Sequence, residues 1–224
     1  MVSIIIPTYN EEKNIKELQE NLSRLKGNFE VIFCDGGSSD STTKLIDEKY
    51  LLLNSPKGRA NQMNHGSNYA KGEILFFLHC DSIIEEDVIL KIQDTVDSNY
   101  NVGCLKIEFD NPIIWMKICA YMSNLRASKR KIAFGDQGIF IKKQLFDEIG
   151  GMPNLPIMED FEFSLRLKRK KYYIKQIDSK IITSSRRYMN KGIFNTMYQM
   201  KKLQFQYLCG RDIDKINKEY RDIR

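Results

Sequence analysis

The chain has 224 residues, of which 42% are hydrophobic, so it can bury the core of one α/β domain. No stretch reaches the roughly 20 uncharged apolar residues of a membrane span, and no signal-peptide pattern indicates secretion. The five cysteines form no C-x-x-C pair, which argues against a disulfide framework or a cysteine zinc site and suits a reducing cytoplasm.

The net charge of +6 is unevenly distributed along the chain. Residues 165–224 hold 17 Lys and Arg against 5 Asp and Glu, whereas the preceding residues hold 18 against 24. We therefore expect the basic C-terminal part to face something anionic.

In the first half, short β-rich runs alternate with helical periods. Strands are predicted at VSIII, FEVIFC, YLLL and EILFFL, and helices at 15–25, after 40, within 55–72 and through Ile84, Val88, Ile92 and Val96. This alternation predicts an α/β fold with a mainly parallel central sheet flanked by helices.

The second half is less regular. It predicts a strand at VGCLKIEF, a helix over about 113–127, a strand in QGIFIK, a helix after MED and a basic amphipathic helix over 191–209. We interpret residues 1–190 as one domain and 191–224 as a helical appendage. The basic helix either lies on anionic lipid or packs on the domain with solvated lysines.

Acidic residues follow two of the predicted strands. In doubly wound sheets ligands bind at the carboxyl ends of the strands, so Asp35 and Asp81 are expected to be neighbours. Asp81 is a candidate ligand for a divalent cation that holds phosphate oxygens, although it could simply cap a helix. His79, on the same face, is either a second ligand or a hydrogen-bonding residue. Gly36, next to Asp35, belongs to a tight turn that suits a nucleoside but is common after strands.

Four further polar segments are candidate site elements. In KGRANQMNHG, Arg59 suits a phosphate or carboxylate and Gln62 is a candidate nucleotide-binding residue, unless the segment is simply a solvated helix face. In PIMEDFEF, Glu159 and Asp160 either cap the next helix or include a general base. In FGDQGIF, Asp136 and Gln137 lie in a predicted turn and could bind hydroxyls. In SSRRY, Arg186 and Arg187 lie in a predicted loop and could clamp a diphosphate or lipid head group.

Taken in order, IIIPTYNEEKNI, VIFCDGGSSDST, FFLHCDS, GGMP and MEDFEFSLRLKRK resemble a family 2 glycosyltransferase with the GT-A fold, over residues 1 to about 175. With KGRANQMNHG, FGDQGIF, PIMEDFEFSLRLKR and SSRRY added, the chain is similar to a small soluble bacterial subgroup of that family, to about residue 210.

The resemblance implies roles for individual residues. The opening loop would line the nucleotide base and Asp35 would help to hold the nucleoside. Asp81 would bind Mg²⁺ or Mn²⁺ with the donor diphosphate, Asp160 would be the base, and GDQ and SSRRY would contact acceptor and phosphates. The loop residues are Pro7, Thr8, Tyr9, Asn10 and Glu11.

Two positions depart from the family pattern. Gly36 and His79 stand where the family commonly has aspartates. The first change weakens any inference of uridine recognition, and the second leaves a metal with fewer anionic ligands.

The function implied by the resemblance is inverting, metal-assisted transfer of a sugar from a nucleoside-diphosphate sugar to an acceptor hydroxyl. The acceptor is open, and a lipid-linked one, reached by peripheral contact at the inner face of the cell membrane, is one option. The alternatives are a sugar-nucleotide nucleotidyltransferase and a non-catalytic sugar-nucleotide-binding protein. A nucleic-acid partner is not expected, because the sequence shows no phosphate-tracking groove with stacking aromatics.

Overall fold

The computed structural model describes residues 1–223, with side chains described for residues 1–220. The eight strands in this part of the chain are β1 Val2–Thr8, β2 Phe29–Asp35, β3 Leu51–Asn54, β4 Ile74–Phe77, β5 Ser82–Ile84, β6 Val102–Phe109, β7 Ile139–Lys142 and β8 Lys175–Thr183. The helices are α1 Glu12–Ser23, α2 Thr42–Leu45, α3 Arg59–Tyr69, α4 Val88–Asp97, α5 Ile114–Leu125, α6 Lys143–Glu148, α7 Glu159–Arg169, α8 Arg186–Lys191, α9 Ile193–Leu208 and α10 Ile213–Ile223.

The strands form a single sheet in the order β3-β2-β1-β4-β7-β6-β8-β5. Strands β3, β2, β1 and β4 are parallel neighbours, as are β6 and β8. Strand β7 runs antiparallel to both β4 and β6, and β5 runs antiparallel to β8. The predicted α/β architecture with a mainly parallel sheet is confirmed, and β7 is where the parallel half ends.

Helices cover both faces of the sheet, because the central strands are apolar on both sides. Ile4 and Ile6 of β1 pack on one face with α1 and α4, whereas Ile5 packs on the other with α3, α6 and α7. This alternation follows from the period of two in a strand. The continuous run VSIII is thus explained by burial on both faces.

Two sequence predictions are wrong. Ile84 does not belong to the helix that contains Val88: it lies in β5, paired with Ile181, and α4 begins at Val88. Its four-residue distance from Val88 is also compatible with a buried strand followed by a turn. Arg186 and Arg187 do not lie in a loop, because they begin the short helix α8, which ends at Lys191 and is followed by Gly192 with a φ of 83°.

The C-terminal helices pack against the domain rather than extending away from it. Leu203 of α9 and Ile216 of α10 are fully buried in an apolar cluster with Ile157 and Phe161. The helix predicted over 191–209 corresponds to α9. Among the described residues, no helix has the length and apolar character needed to cross a bilayer.

Candidate active site

Charged side chains from six separate segments line one open cleft. They come from the segment before α1, the start of α3, the segment after β4, a 3₁₀ turn at Gly135–Gln137, the start of α7, and α8. Four are carboxylates and four are cations: Glu11, Asp81, Asp136, Asp160, Arg59, Arg186, Arg187 and Lys191. Asp81 and Asp160, distant in sequence, therefore share one cleft.

A buried ion pair joins α3 to α7 beside this cleft. Arg59 Nε lies 2.7 Å from Glu159 Oε1, and Glu159 is only 2% exposed. Burial raises the pKa of Glu159, and Asp160 adds to this, while Arg59 opposes it. Burial would lower the pKa of Arg59, but the carboxylates of Glu159 and Asp160 outweigh it and raise that pKa. Glu159 thus holds Arg59 in place, and Arg59 is the group of the pair that lines the cleft.

Asp160 is fixed by backbone amides. Its Oδ2 accepts a hydrogen bond from the amide of Gly135 at 2.8 Å, and its Oδ1 accepts one from the amide of Phe161 at 2.7 Å. Met158, which precedes α7, has a φ of 66°, in the left-handed region that non-glycine residues seldom adopt. Such strain concentrates at functional sites. The carboxylate is thereby oriented and retains a free lone pair on each oxygen.

His79 and Asp81 both face the cleft, while Cys80 between them lies in the apolar core. Burial lowers the pKa of His79 to about 4, with the charge on Arg59 contributing, so the imidazole is neutral at pH 7. A side chain at position 135 would approach His79 Nε2 to 2.9 Å. Gly135 therefore leaves the space that the imidazole needs.

The donor set can hold a divalent cation only with help from a ligand. Within the described part of the chain, no group of three or more His, Cys, Asp or Glu side chains is arranged as a metal cage. Asp81 offers a carboxylate and His79 a neutral imidazole. Mg²⁺ and Mn²⁺ sites that act on phosphates commonly combine one or two carboxylates with phosphate oxygens and water, so these residues fit such a site.

The GDQ turn is divided between the cleft and the interior. Asp136 lines the cleft, and burial raises its pKa, opposed by Arg126. Gln137 is fully buried, where its Oε1 accepts a hydrogen bond from Arg126 Nη2 at 2.9 Å. Arg126 also stacks over Phe134, 3.7 Å from the ring centroid. Arg126 was not among the predicted site residues, because no sequence motif marks it.

Other predicted nucleotide-binding residues form a second cluster at the ends of β1 and β2, outside the lining of the cleft. Asp35 is 3% exposed and accepts hydrogen bonds from the amides of Gly37 and Ser38, both at 2.9 Å. Thr8 Oγ1 lies 3.5 Å from Asp35 Oδ1. The Asp35 carboxylate thus shapes the DGGSSD turn.

The departure at Gly36 has a structural explanation. A Cβ at this position would lie 3.1 Å from Gln62 Nε2. That amide is buried and donates hydrogen bonds to the carbonyls of Thr8 and Cys34, at 2.6 and 2.7 Å. Gln62 occupies the space next to Gly36 and fastens α3 to the ends of β1 and β2.

The opening loop contributes unevenly. Glu11 lines the cleft, and Tyr9 is 40% exposed with Lys57 Nζ 3.8 Å from its ring centroid. Pro7 is half-buried within β1. Only part of the predicted loop therefore reaches the cleft.

The C-terminal helices supply one wall of the cleft, which the sequence analysis did not foresee. Arg187 Nη2 donates a hydrogen bond to Tyr220 Oη at 2.7 Å, and Met200 and Gln204 of α9 line the same wall. Arg186 is exposed at the rim. Arg186 and Arg187 were predicted site residues. For Met200 the only signal was the helical spacing of apolar positions, and no signal marked Gln204 or Tyr220.

The mixed sheet, the acidic ends of its strands and the α7 carboxylates define the GT-A class of glycosyltransferase folds. The chain superposes on a crystal structure of Staphylococcus aureus TarS in complex with UDP with a TM-score of 0.64, at 21% identity, over 82% of this chain and 60% of that one. It superposes on a mannosyltransferase from Pyrobaculum calidifontis, in complex with GDP-Man and Mn²⁺, with a TM-score of 0.63, at 18% identity, over 81% and 56%.

The model of the family described as "Glycosyl transferase family 2" matches residues 3–152, and the chain belongs to that family. The predicted membership of glycosyltransferase family 2 is confirmed. A relative from Proteus mirabilis, an undecaprenyl-phosphate 4-deoxy-4-formamido-L-arabinose transferase, is 29% identical over 155 residues, 63% of this chain and 48% of the relative. The chain spans roughly half the length of the curated relatives it matches.

Proposed function

We propose that this chain catalyses inverting transfer of a sugar from a nucleoside-diphosphate sugar to an acceptor hydroxyl. The observation that carries the proposal is the shared cleft of Asp81 and Asp160, with Arg59 held between their elements by Glu159. The likeness to folds crystallised with UDP and with GDP-Man supports a nucleotide-sugar donor. Tyr9 and Glu11 are proposed to contact the nucleoside. The residues proposed to shape the strand ends and the turn that receive it are Pro7, Thr8, Asp35, Gly36 and Gln62.

In this mechanism Asp160 accepts the proton of the acceptor hydroxyl as that oxygen attacks the anomeric carbon. Two backbone amides orient the carboxylate towards its role as the base. Asp136, which lines the cleft, is proposed to position the acceptor, and the buried Gln137 to hold the turn that carries Asp136. The bond to the diphosphate breaks on the opposite side of the sugar, so the configuration at that carbon inverts.

Positive charge is needed where the diphosphate departs, because this group is already anionic and gains one more negative charge as its bond to the sugar breaks. Arg59, Arg186 and Arg187 are proposed to bind these phosphate oxygens. Asp81, with His79 as a second ligand, would hold Mg²⁺ or Mn²⁺, which when bound neutralises part of the diphosphate charge. The Mn²⁺ complex of the mannosyltransferase supports this assignment.

We also propose an acceptor class, a location and a domain boundary. The name of the Proteus mirabilis relative supports a lipid-linked phosphate as an acceptor class. A cytoplasmic location is proposed because the spacing of the five cysteines suits a reducing compartment. Residues 1–190 are proposed as the transferase domain and 191–224 as an appendage that completes one wall of the cleft.

A thermal-shift panel of nucleotide sugars, with and without Mn²⁺, tests the proposal. A ligand that binds only the folded state raises the melting temperature, by an amount set by its concentration relative to Kd. Binding of a nucleoside-diphosphate sugar, followed by release of the nucleoside diphosphate with an acceptor, supports transfer. Release of pyrophosphate from a triphosphate would identify a nucleotidyltransferase, and binding without turnover would identify a sugar-nucleotide-binding protein.

A further inference from the structure

Two helices carry an unusual share of the exposed apolar side chains. Among residues 1–220, 21 large hydrophobic side chains are exposed, and eleven of them belong to α5, to the residue before it, and to α9. We call these the α5–α9 face: Ile113, Ile114, Trp115, Ile118, Tyr121, Met122, Leu125, Phe194, Tyr198, Phe205 and Leu208. Contiguous exposed apolar surface of this kind marks an interaction site.

The two helices form one surface. The rings of Trp115 and Phe194 meet edge to face with centroids 4.9 Å apart, and Cys119 Sγ lies 3.3 Å from Met197 Sδ. Each helix keeps its other side for the domain: Leu203 of α9, for example, is fully buried. The exposed side chains recur at spacings of three and four residues, so they form a stripe along each helix.

Positive charge surrounds this face. No Asp or Glu occurs in residues 111–135 or 179–211, the segments that contain α5, α8 and α9. Lys202 pairs with Glu219 at 3.5 Å. Within the described residues, the other cations beside the face have no carboxylate within 4.0 Å: Lys117, Lys129, Arg130, Lys191 and Lys201.

We propose that the α5–α9 face docks onto the surface of a bilayer that contains anionic lipid. Aromatic and aliphatic side chains insert at the level of the head groups, and flanking Lys and Arg bind the anionic head groups. A second copy of this chain is a poorer occupant, because a twofold contact through this face would bring unpaired cations together. Since Lys191, Met200 and Gln204 line the catalytic cleft, docking places the cleft next to the lipid surface.

Vesicle co-sedimentation of the full chain tests the proposal without requiring sugar transfer. Its outcome is therefore independent of the proposed function. Vesicles of phosphatidylcholine alone are compared with vesicles that also contain phosphatidylglycerol. We expect binding to the anionic vesicles only, weakening as salt is raised because surface charges are screened.

Two variants separate the apolar and the electrostatic contributions to vesicle binding, and a third serves as the control. Phe205→Asp should reduce partitioning by about tenfold or more, because a carboxylate would enter the apolar interface. Lys201→Glu should reduce it by roughly fivefold or more on anionic vesicles, given about 1 kcal/mol for each basic residue near the surface. Leu90→Asp is the control, because Leu90 is 43% exposed but lies on α4, away from the α5–α9 face. Unfolding midpoints should agree among the variants.

Equal affinity for neutral and anionic vesicles would overturn the proposal, as would an equal loss of binding in Leu90→Asp. If the chain does not sediment with vesicles and is instead a dimer that Phe205→Asp dissociates, the face is an interface between two copies and the bilayer assignment is wrong.

Discussion

Replacing Arg59 by Met should expose how strongly the structure depends on the buried ion pair. Glu159 is 2% exposed and its Oε1 lies 2.7 Å from Arg59 Nε. Glu159 Oε2 has no hydrogen-bond partner among the described residues. The variant therefore leaves a buried carboxylate without its cation.

The expected cost follows from that geometry. Removing one partner of a buried pair typically costs about 3–5 kcal/mol of unfolding free energy. Because 38% of the Arg59 side chain is exposed, we expect the lower limit, about 3 kcal/mol at pH 7. For a chain of 224 residues this lowers Tm by roughly 6–12 °C.

The stability of Arg59→Met should depend on pH through the protonation of Glu159. Burial raises the folded-state pKa of Glu159 above its ordinary value, and losing Arg59 removes a group that opposes this shift. Between the unfolded and folded pKa values, the folded state binds more protons. The stability of Arg59→Met should therefore fall as pH rises through this window and recover on acidification.

Urea denaturation at pH 7 and pH 5 measures these effects. Adding Glu159→Gln to Arg59→Met should recover at least about half of the loss, since a neutral amide costs less to bury than a carboxylate. The control is Arg24→Met, an exposed residue without a described ion pair, for which we expect a change within about 0.5 kcal/mol. If Arg59→Met behaves like Arg24→Met, or if Glu159→Gln deepens the loss, the reasoning is refuted.

Three further predictions concern the cleft and the neighbouring turn. Asp160→Asn should lower kcat for nucleoside diphosphate release by about 10²-fold or more at unchanged Tm, and a near-normal kcat would exclude Asp160 as the base. Gly36→Asp should cost about 1–3 kcal/mol in urea denaturation, because a Cβ there would crowd Gln62, and a neutral effect would contradict that packing. His79 should titrate in NMR with a pKa of about 4. Because the unfolded chain is protonated at a higher pH than the folded one, this group reduces the free energy of unfolding as pH falls from about 6.5 towards 4. A titration midpoint near 6.5 would be inconsistent with the burial of His79.

The two departures from the family pattern affect the site differently. Gly36 leaves room for Gln62, which satisfies two strand-end carbonyls, so this position serves packing as well as any role towards a nucleoside. His79 replaces a carboxylate with an imidazole that is neutral at pH 7. A cation at Asp81 would consequently meet less negative charge from the protein, which makes its affinity more dependent on the diphosphate.

Much of the fold could be predicted because its signals are local. The runs that became β1, β2 and β4 are apolar enough to be buried on both faces, and VGCLKIEF coincides with β6. Strands β5 and β8 were not identified. Strand β5 has three residues, and Ile84 also fits a four-residue spacing with α4, so local periodicity could not separate strand from helix.

The sequence by itself determined the family, the two strands that are followed by acidic residues, and the candidate positions Asp81 and Asp160. Only the tertiary structure decided that Glu159 binds Arg59 and that α9 and α10 wall the cleft. These contacts join residues that are distant in the chain, and their energy depends on burial. Neither the partner nor the degree of burial can be derived from neighbouring letters, because both arise only when the sheet brings separate elements together.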